Sequence, residues 1–169
     1  MRILVLSLVA TAVLTAQAPR FAPVQSELSA AGGAFVNAWA DYDNDGDLDL
    51  FVSHLERPVV LLRNDTQTGR HFVGFDLRTP NRIPPVGGRV VVTSGKYRRT
   101  MPVVAGGSYL SSSDGRLLFG LADEAGPVTV EVFWPSGRVD KFEHLGVDCY
   151  WIVYEGESPA RLSTFLAGY

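Results

Sequence analysis

Five aspartates alternate with other residues between two apolar runs, in Asp41-Tyr42-Asp43-Asn44-Asp45-Gly46-Asp47-Leu48-Asp49. Carboxylates this close repel one another and oppose a compact state unless something cancels their charge. A hard divalent cation is the economical answer. Calcium takes roughly six to eight oxygens. A loop that turns Asp41, Asp43, Asp45 and Asp49 inward supplies most of them, and the main-chain carbonyl of Asp47 adds another. Gly46 stands where the chain must turn sharply about the ion, a position at which a residue without a Cβ avoids strain. The flanking segments 35–40 and 48–53 read as strands, so the expected unit is a β-hairpin folded around a metal. An EF-hand shares the opening Asp-x-Asp-x-Asp-Gly but needs a bidentate Glu at its twelfth position, which here is Val52.

The rest of the chain has the same β grammar. Short runs of Val, Phe, Trp, Tyr and Thr are separated at close intervals by Gly, Pro, Asn, Asp and Ser, the spacing of an all-β sandwich or barrel. The clearest strand is 128–134, which places Val128, Val130, Val132 and Trp134 on one face before Pro135-Ser136-Gly137 forces a turn. Further strands are expected at 59–63, 72–77, 89–94, 97–104, 117–121, 139–143 and 150–155, with a hairpin turn at Ser94-Gly95-Lys96. Helical signal is confined to 26–31 and a C-terminal turn at 161–166. Trp39, Trp134 and Trp151 are expected in the core.

At the N-terminus, Arg2, the apolar run from Ile3 to Leu14 and Ala16-Gln17-Ala18 read as a secretory signal peptide over 1–18. The run is shorter than the ~20 residues that span a bilayer, so no membrane span is expected in the mature form. A secreted or periplasmic location follows. Setting Arg2 aside leaves 14 basic residues against 18 acidic, a formal charge of −4 that offers nothing to nucleic acid. Cys149 is the sole cysteine, which excludes an internal disulfide, and beside Val147 and Tyr150-Trp151 it reads as a small buried apolar residue.

The segment from Ala38 to Val52, with the acidic loop at its centre, resembles an FG-GAP/VCBS repeat, the calcium-loop hairpin of integrin-α-like propeller blades. The second half resembles the ASPIC/UnbV domain that follows such repeats in secreted proteins of the cartilage acidic protein type. That likeness rests on Leu62-Arg63-Asn64-Asp65, Asn81-Arg82, Gly88-Arg89-Val90, Gly106-Gly107-Ser108-Tyr109-Leu110-Ser111, the run Ser113 to Leu121 and the run Val132 to Arg138. The organisation implied is a signal peptide (1–18), a single repeat (19–66), an antiparallel β-sandwich (67–157) and a tail (158–169). One blade cannot bury both its faces alone, so the repeat must pack on the sandwich or on a partner.

Catalysis finds little support. His54, His71 and His144 stand in no nucleophile-base motif, and Gly106-Gly107 lacks the Lys-Ser/Thr pair of a phosphate loop. Ser108, Ser111, Ser112, Ser113 and Asp114 read as turn residues, Lys96, Arg98 and Arg99 as an exposed hairpin face, and Asn64-Asp65-Thr66 as a formal glycosylation sequon. The expected function is a non-enzymatic, adhesion-type recognition module with a structural calcium at Asp41, Asp43, Asp45, Asp47 and Asp49, presenting a surface to protein or glycan. The alternatives are an exported enzyme or accessory with a pocket built from Asp114, Arg116 and a histidine, or a subunit that completes a propeller by oligomeric assembly.

Overall fold

The computed structural model describes residues 21–23, 34–56, 58–66 and 69–162. The segments expected to form a signal peptide (1–18) and a helix (26–31), and all but the first two residues of the expected turn at 161–166, lie outside the described residues. The fold is all-β, with twelve strands in three four-stranded sheets and no helix among the described residues.

The first sheet holds β1 (Phe21–Pro23), β2 (Ala34–Ala40), β3 (Asp49–His54) and β4 (Val60–Asn64), ordered β1-β4-β3-β2 and antiparallel throughout. The acidic loop is the β2–β3 connection, as its sequence predicts. The other two sheets form a sandwich. One is ordered β10-β9-β6-β7, from β6 (Arg89–Ser94), β7 (Tyr97–Pro102), β9 (Val128–Phe133) and β10 (Val139–Leu145). The other is ordered β12-β11-β5-β8, from β5 (His71–Arg78), β8 (Leu117–Ala122), β11 (Cys149–Tyr154) and β12 (Ala160–Arg161). It contains the one departure from an antiparallel sandwich: β11 runs parallel to β5, with Cys149 opposite Val73 and Tyr154 opposite Arg78.

Alternation decides what fills the sandwich. Val128, Val130, Val132 and Trp134 are buried as expected, and meet Val90 and Val92 from β6 and Val73, Phe75, Leu77, Phe119 and Val153 from the facing sheet. Burying a side chain of this size contributes roughly 1.5–3 kcal/mol, so this layer dominates stability. At the β9–β10 turn, Trp134 Nε1, Arg138 Nε and the Gly156 amide all donate to the Asp140 carboxylate, at 2.8, 2.7 and 2.9 Å. Burial alone would raise the Asp140 pKa, but those three donors outweigh it and hold the group below its ordinary value.

β5 is buried on both faces, with Phe72, Val73, Gly74 and Phe75 all inaccessible, which explains why it reads as a continuous apolar run. Val73 and Phe75 point into the sandwich. Phe72 and Gly74 lie on the opposite face of that sheet, and on this outer face the acidic loop comes to rest.

One expectation needs correction. Trp39 is not a core residue: it is 38% exposed, stacks edge-on against Phe21 and lines a cavity with Met101 and Leu118. Trp151 meets its expectation in part: it is half-buried and packs against the core, with Nε1 donating to the Gly146 carbonyl. Trp134 and Cys149 are buried as expected.

A candidate metal-binding loop

Asp41, Asp43 and Asp49 each present a carboxylate oxygen to a common point, all three within 4.8 Å of one another. Asp41 and Asp49 are buried, at 1% and 0% exposure. Asp49 closes the hairpin, its Oδ2 accepting from the Tyr42 amide at 2.8 Å and its Oδ1 from the Asn64 amide at 2.8 Å. The Asp41 Oδ2 accepts from the Gly46 amide at 2.9 Å and the Tyr150 hydroxyl at 2.7 Å, whereas its buried Oδ1 has no hydrogen-bond partner.

The other two predicted ligands sit differently. Asp45 turns one oxygen back to the Asp47 amide at 2.9 Å, and neither Asp45 nor Asp47 joins the three-carboxylate cluster. Burial, followed by the neighbouring negative charges, raises the pKa of Asp45 to about 6 and raises that of Asp47. Burial likewise raises Asp41 against its hydrogen bonds from Tyr150 and Gly46. The loop thus concentrates more negative charge than its own donors neutralise, which is the electrostatic setting a divalent cation relieves.

Gly46 has the left-handed backbone anticipated for it, with φ at +94°. It has a second reason to be glycine: a Cβ here would lie 2.2 Å from Cδ1 of Phe72, so the turn seats directly on that buried ring.

What holds the loop to the sandwich is not evident from local sequence. Arg116 donates through Nε to Asp114 at 2.6 Å, through one terminal nitrogen to Asn44 Oδ1 at 2.6 Å and through the other to the Asp41 carbonyl at 2.7 Å. Its guanidinium lies 4.3 Å above the Tyr150 ring, whose hydroxyl reaches Asp41. Arg116 and Tyr150 therefore clamp the loop from the sandwich side, one through the Asn44 side chain and the Asp41 carbonyl and one through the Asp41 carboxylate. The hydroxyl's burial, together with its bond to Asp41, raises the Tyr150 pKa and keeps it a donor.

The serine run is also used structurally. Ser111 Oγ donates to the Asn37 carbonyl at 2.5 Å, Ser113 Oγ accepts from the Trp39 amide at 3.3 Å, and the Asp114 amide donates to the Trp39 carbonyl at 2.8 Å. The segment before β8 thereby stitches the outer edge of β2. Asp114 and Arg116 are paired to each other, and no described cavity that they line includes a histidine. His71 does meet an acid, with Nδ1 2.8 Å from Asp148 Oδ2. Asn64 is 7% exposed and its side-chain amide donates to the Leu48 carbonyl, so the formal sequon is folded inward.

Residues 78–160, just under half of the chain, match the ASPIC and UnbV family. The chain is also similar to cartilage acidic protein 1 of mouse and of human, 34% identical over 104 residues in each case. The alignment takes in 59% of this chain but only 16% of the mouse protein and 15% of the human one, so the chain spans about a sixth of the length of these relatives. The acidic loop and Leu62-Arg63-Asn64-Asp65 lie outside the family match.

Proposed function

We propose that the chain is an exported recognition module in which one calcium ion, held by the Asp41–Asp49 loop, fixes a propeller-type FG-GAP/VCBS hairpin against the ASPIC/UnbV domain. The observation that carries this reading is the buried, unpartnered Oδ1 of Asp41 beside the carboxylates of Asp43 and Asp49. A buried carboxylate oxygen without a partner costs roughly 1–3 kcal/mol, and a bound cation removes that cost. Asp41, Asp43 and Asp49 hold the ion, with Asp45 and the Asp47 carbonyl as further oxygens.

Calcium is favoured over softer metals because the three converging ligand atoms are all carboxylate oxygens. The role is structural, since the ligands also carry the hairpin's own hydrogen bonds. The module acts by binding protein or glycan in the secreted or periplasmic space, and not by catalysis.

An ion bound only by the folded state must raise the melting midpoint. At free calcium of about 100 times the dissociation constant the gain is about 2.7 kcal/mol, a rise of ~5–10 °C for a chain of this size. The midpoint is expected to rise with millimolar calcium, fall back with chelator, and stay unchanged in Asp43→Ala. An equal midpoint in calcium and chelator would sink the proposal.

A further inference from the structure

We propose that the cavity beside Trp39, where the three sheets meet, takes one neutral pyranose ring, the end unit of a glycan. The recognition reading above, on which this assignment rests, thereby gains a ligand class and a place.

The walls come from every sheet. Trp39 of β2 and Leu48 of the acidic loop face Met101 of β7 and Leu118 of β8, and Tyr150 of β11 adjoins them. The space is about 180 Å³, somewhat more than the ~150 Å³ of a cavity that accepts benzene, so it holds one six-membered ring. Trp39 and Leu48 are both exposed in part, which leaves an apolar mouth open to solvent. A longer chain can continue outward from there.

Charge argues against an ionic occupant. Asp114 and Arg116 are the only charged residues in the lining, and they bind each other at 2.6 Å, so the cavity is neutral as a whole. Arg116 directs further donors to Asn44 and to the Asp41 carbonyl, away from any anion.

A purely apolar occupant fits no better, because it would strip water from polar groups without replacing the lost hydrogen bonds. Ser113 Oγ accepts from the Trp39 amide at 3.3 Å and keeps its own proton to donate. Asp114 accepts from the Arg116 amide at 3.0 Å and from Nε at 2.6 Å, and each of its oxygens retains a second lone pair. The Trp39 indole N–H has no partner among the described residues. A pyranose carries both complements, a C–H face for an aromatic ring and hydroxyls for the Ser113 and Asp114 oxygens. Trp39 is also set in place beforehand, since its carbonyl takes the Asp114 amide at 2.8 Å while its amide is held by Ser113.

The test uses the full chain in calcium with the methyl pyranosides of glucose, galactose and mannose as neutral probes. Methyl glucuronide and methyl glucosaminide in its ammonium form are the charged counterparts. Proton–nitrogen NMR reads the indole signals of Trp39, Trp134 and Trp151, with Trp39→Phe assigning the first. At least one neutral pyranoside is expected to shift the Trp39 signal saturably and to leave the other two in place. The charged sugars should bind about tenfold more weakly, and Trp39→Ala should lose roughly tenfold or more while keeping the calcium-induced rise in melting midpoint. No saturable shift with any neutral pyranoside, tighter binding of a charged sugar, or unchanged binding in Trp39→Ala overturns the assignment. A calcium-induced rise without sugar binding overturns this site and leaves the calcium loop standing, whereas sugar binding without that rise supports the site and removes only the ion.

Discussion

Asp49→Ala is expected to destabilise the calcium-loaded protein by about 2–4 kcal/mol, read as a lowered urea midpoint. The Asp49 side chain is wholly buried, and its two oxygens take the amides of Tyr42 and Asn64. Alanine leaves both amides without an acceptor while removing a ligand. Without metal the loss is smaller, because the substitution also relieves repulsion among the remaining carboxylates. Asp43→Ala separates the two roles, since Asp43 is the most accessible member of the cluster, its side chain 32% exposed, and makes no comparable hydrogen bond. It removes the response to calcium and leaves the metal-free midpoint close to that of the parent. Similar losses for the two variants in chelator would show that Asp49 has no structural role beyond metal binding.

The second large effect comes from outside the loop. Gly74 faces Tyr150 across the parallel β5–β11 pair, and a Cβ on it would stand 2.1 Å from the ring's Cε1. The ring must then move, and it cannot do so while its hydroxyl holds Asp41 and its face carries Arg116. Overpacking of this kind costs about 1–3 kcal/mol in itself. Gly74→Ala is expected to lose that much stability and to weaken calcium binding as well. Tyr150→Phe, which deletes only the hydroxyl, should lower stability by about 1 kcal/mol and also weaken calcium. A calcium-induced midpoint rise in Gly74→Ala equal to that of the parent would show that Tyr150 does not position the ligand.

The parts legible in the sequence are those whose signal is local. The strand 128–134 alternates over seven residues and its inward set is buried; β6 keeps the bounds that its punctuation predicts. The acidic loop announces its turn through Gly46 and its cluster through spacing. β1 and β12 escape such reading because three and two residues are too few to show a period. The parallel pairing of β5 with β11 leaves no local trace either, and it is this pairing that brings Tyr150 to Asp41, 109 residues away in sequence. Arg116 is conspicuous as part of a motif, but its grip on Asn44 and the Asp41 carbonyl depends on how the two sheets meet. Trp39 misleads for a related reason: its strand is apolar, yet its ring lines a cavity with Met101 and Leu118 and is left partly exposed.

The site departs from its expected form in one respect. Spacing alone makes Asp41, Asp43, Asp45 and Asp49 equivalent, but the Asp47 amide captures Asp45, leaving three converging carboxylates and a fourth at the rim. The ranking of ligands follows from this: Asp43 should matter more than Asp45, and Asp41 should depend on Tyr150.

The central claim is that this loop binds a calcium ion that only the folded chain can hold. Isothermal titration of the chelator-treated protein with calcium tests it most directly. The account predicts saturable binding of one ion per chain, lost in Asp43→Ala and weakened in Tyr150→Phe. Absence of saturable binding in the parent, or the same binding in Asp43→Ala, would contradict it.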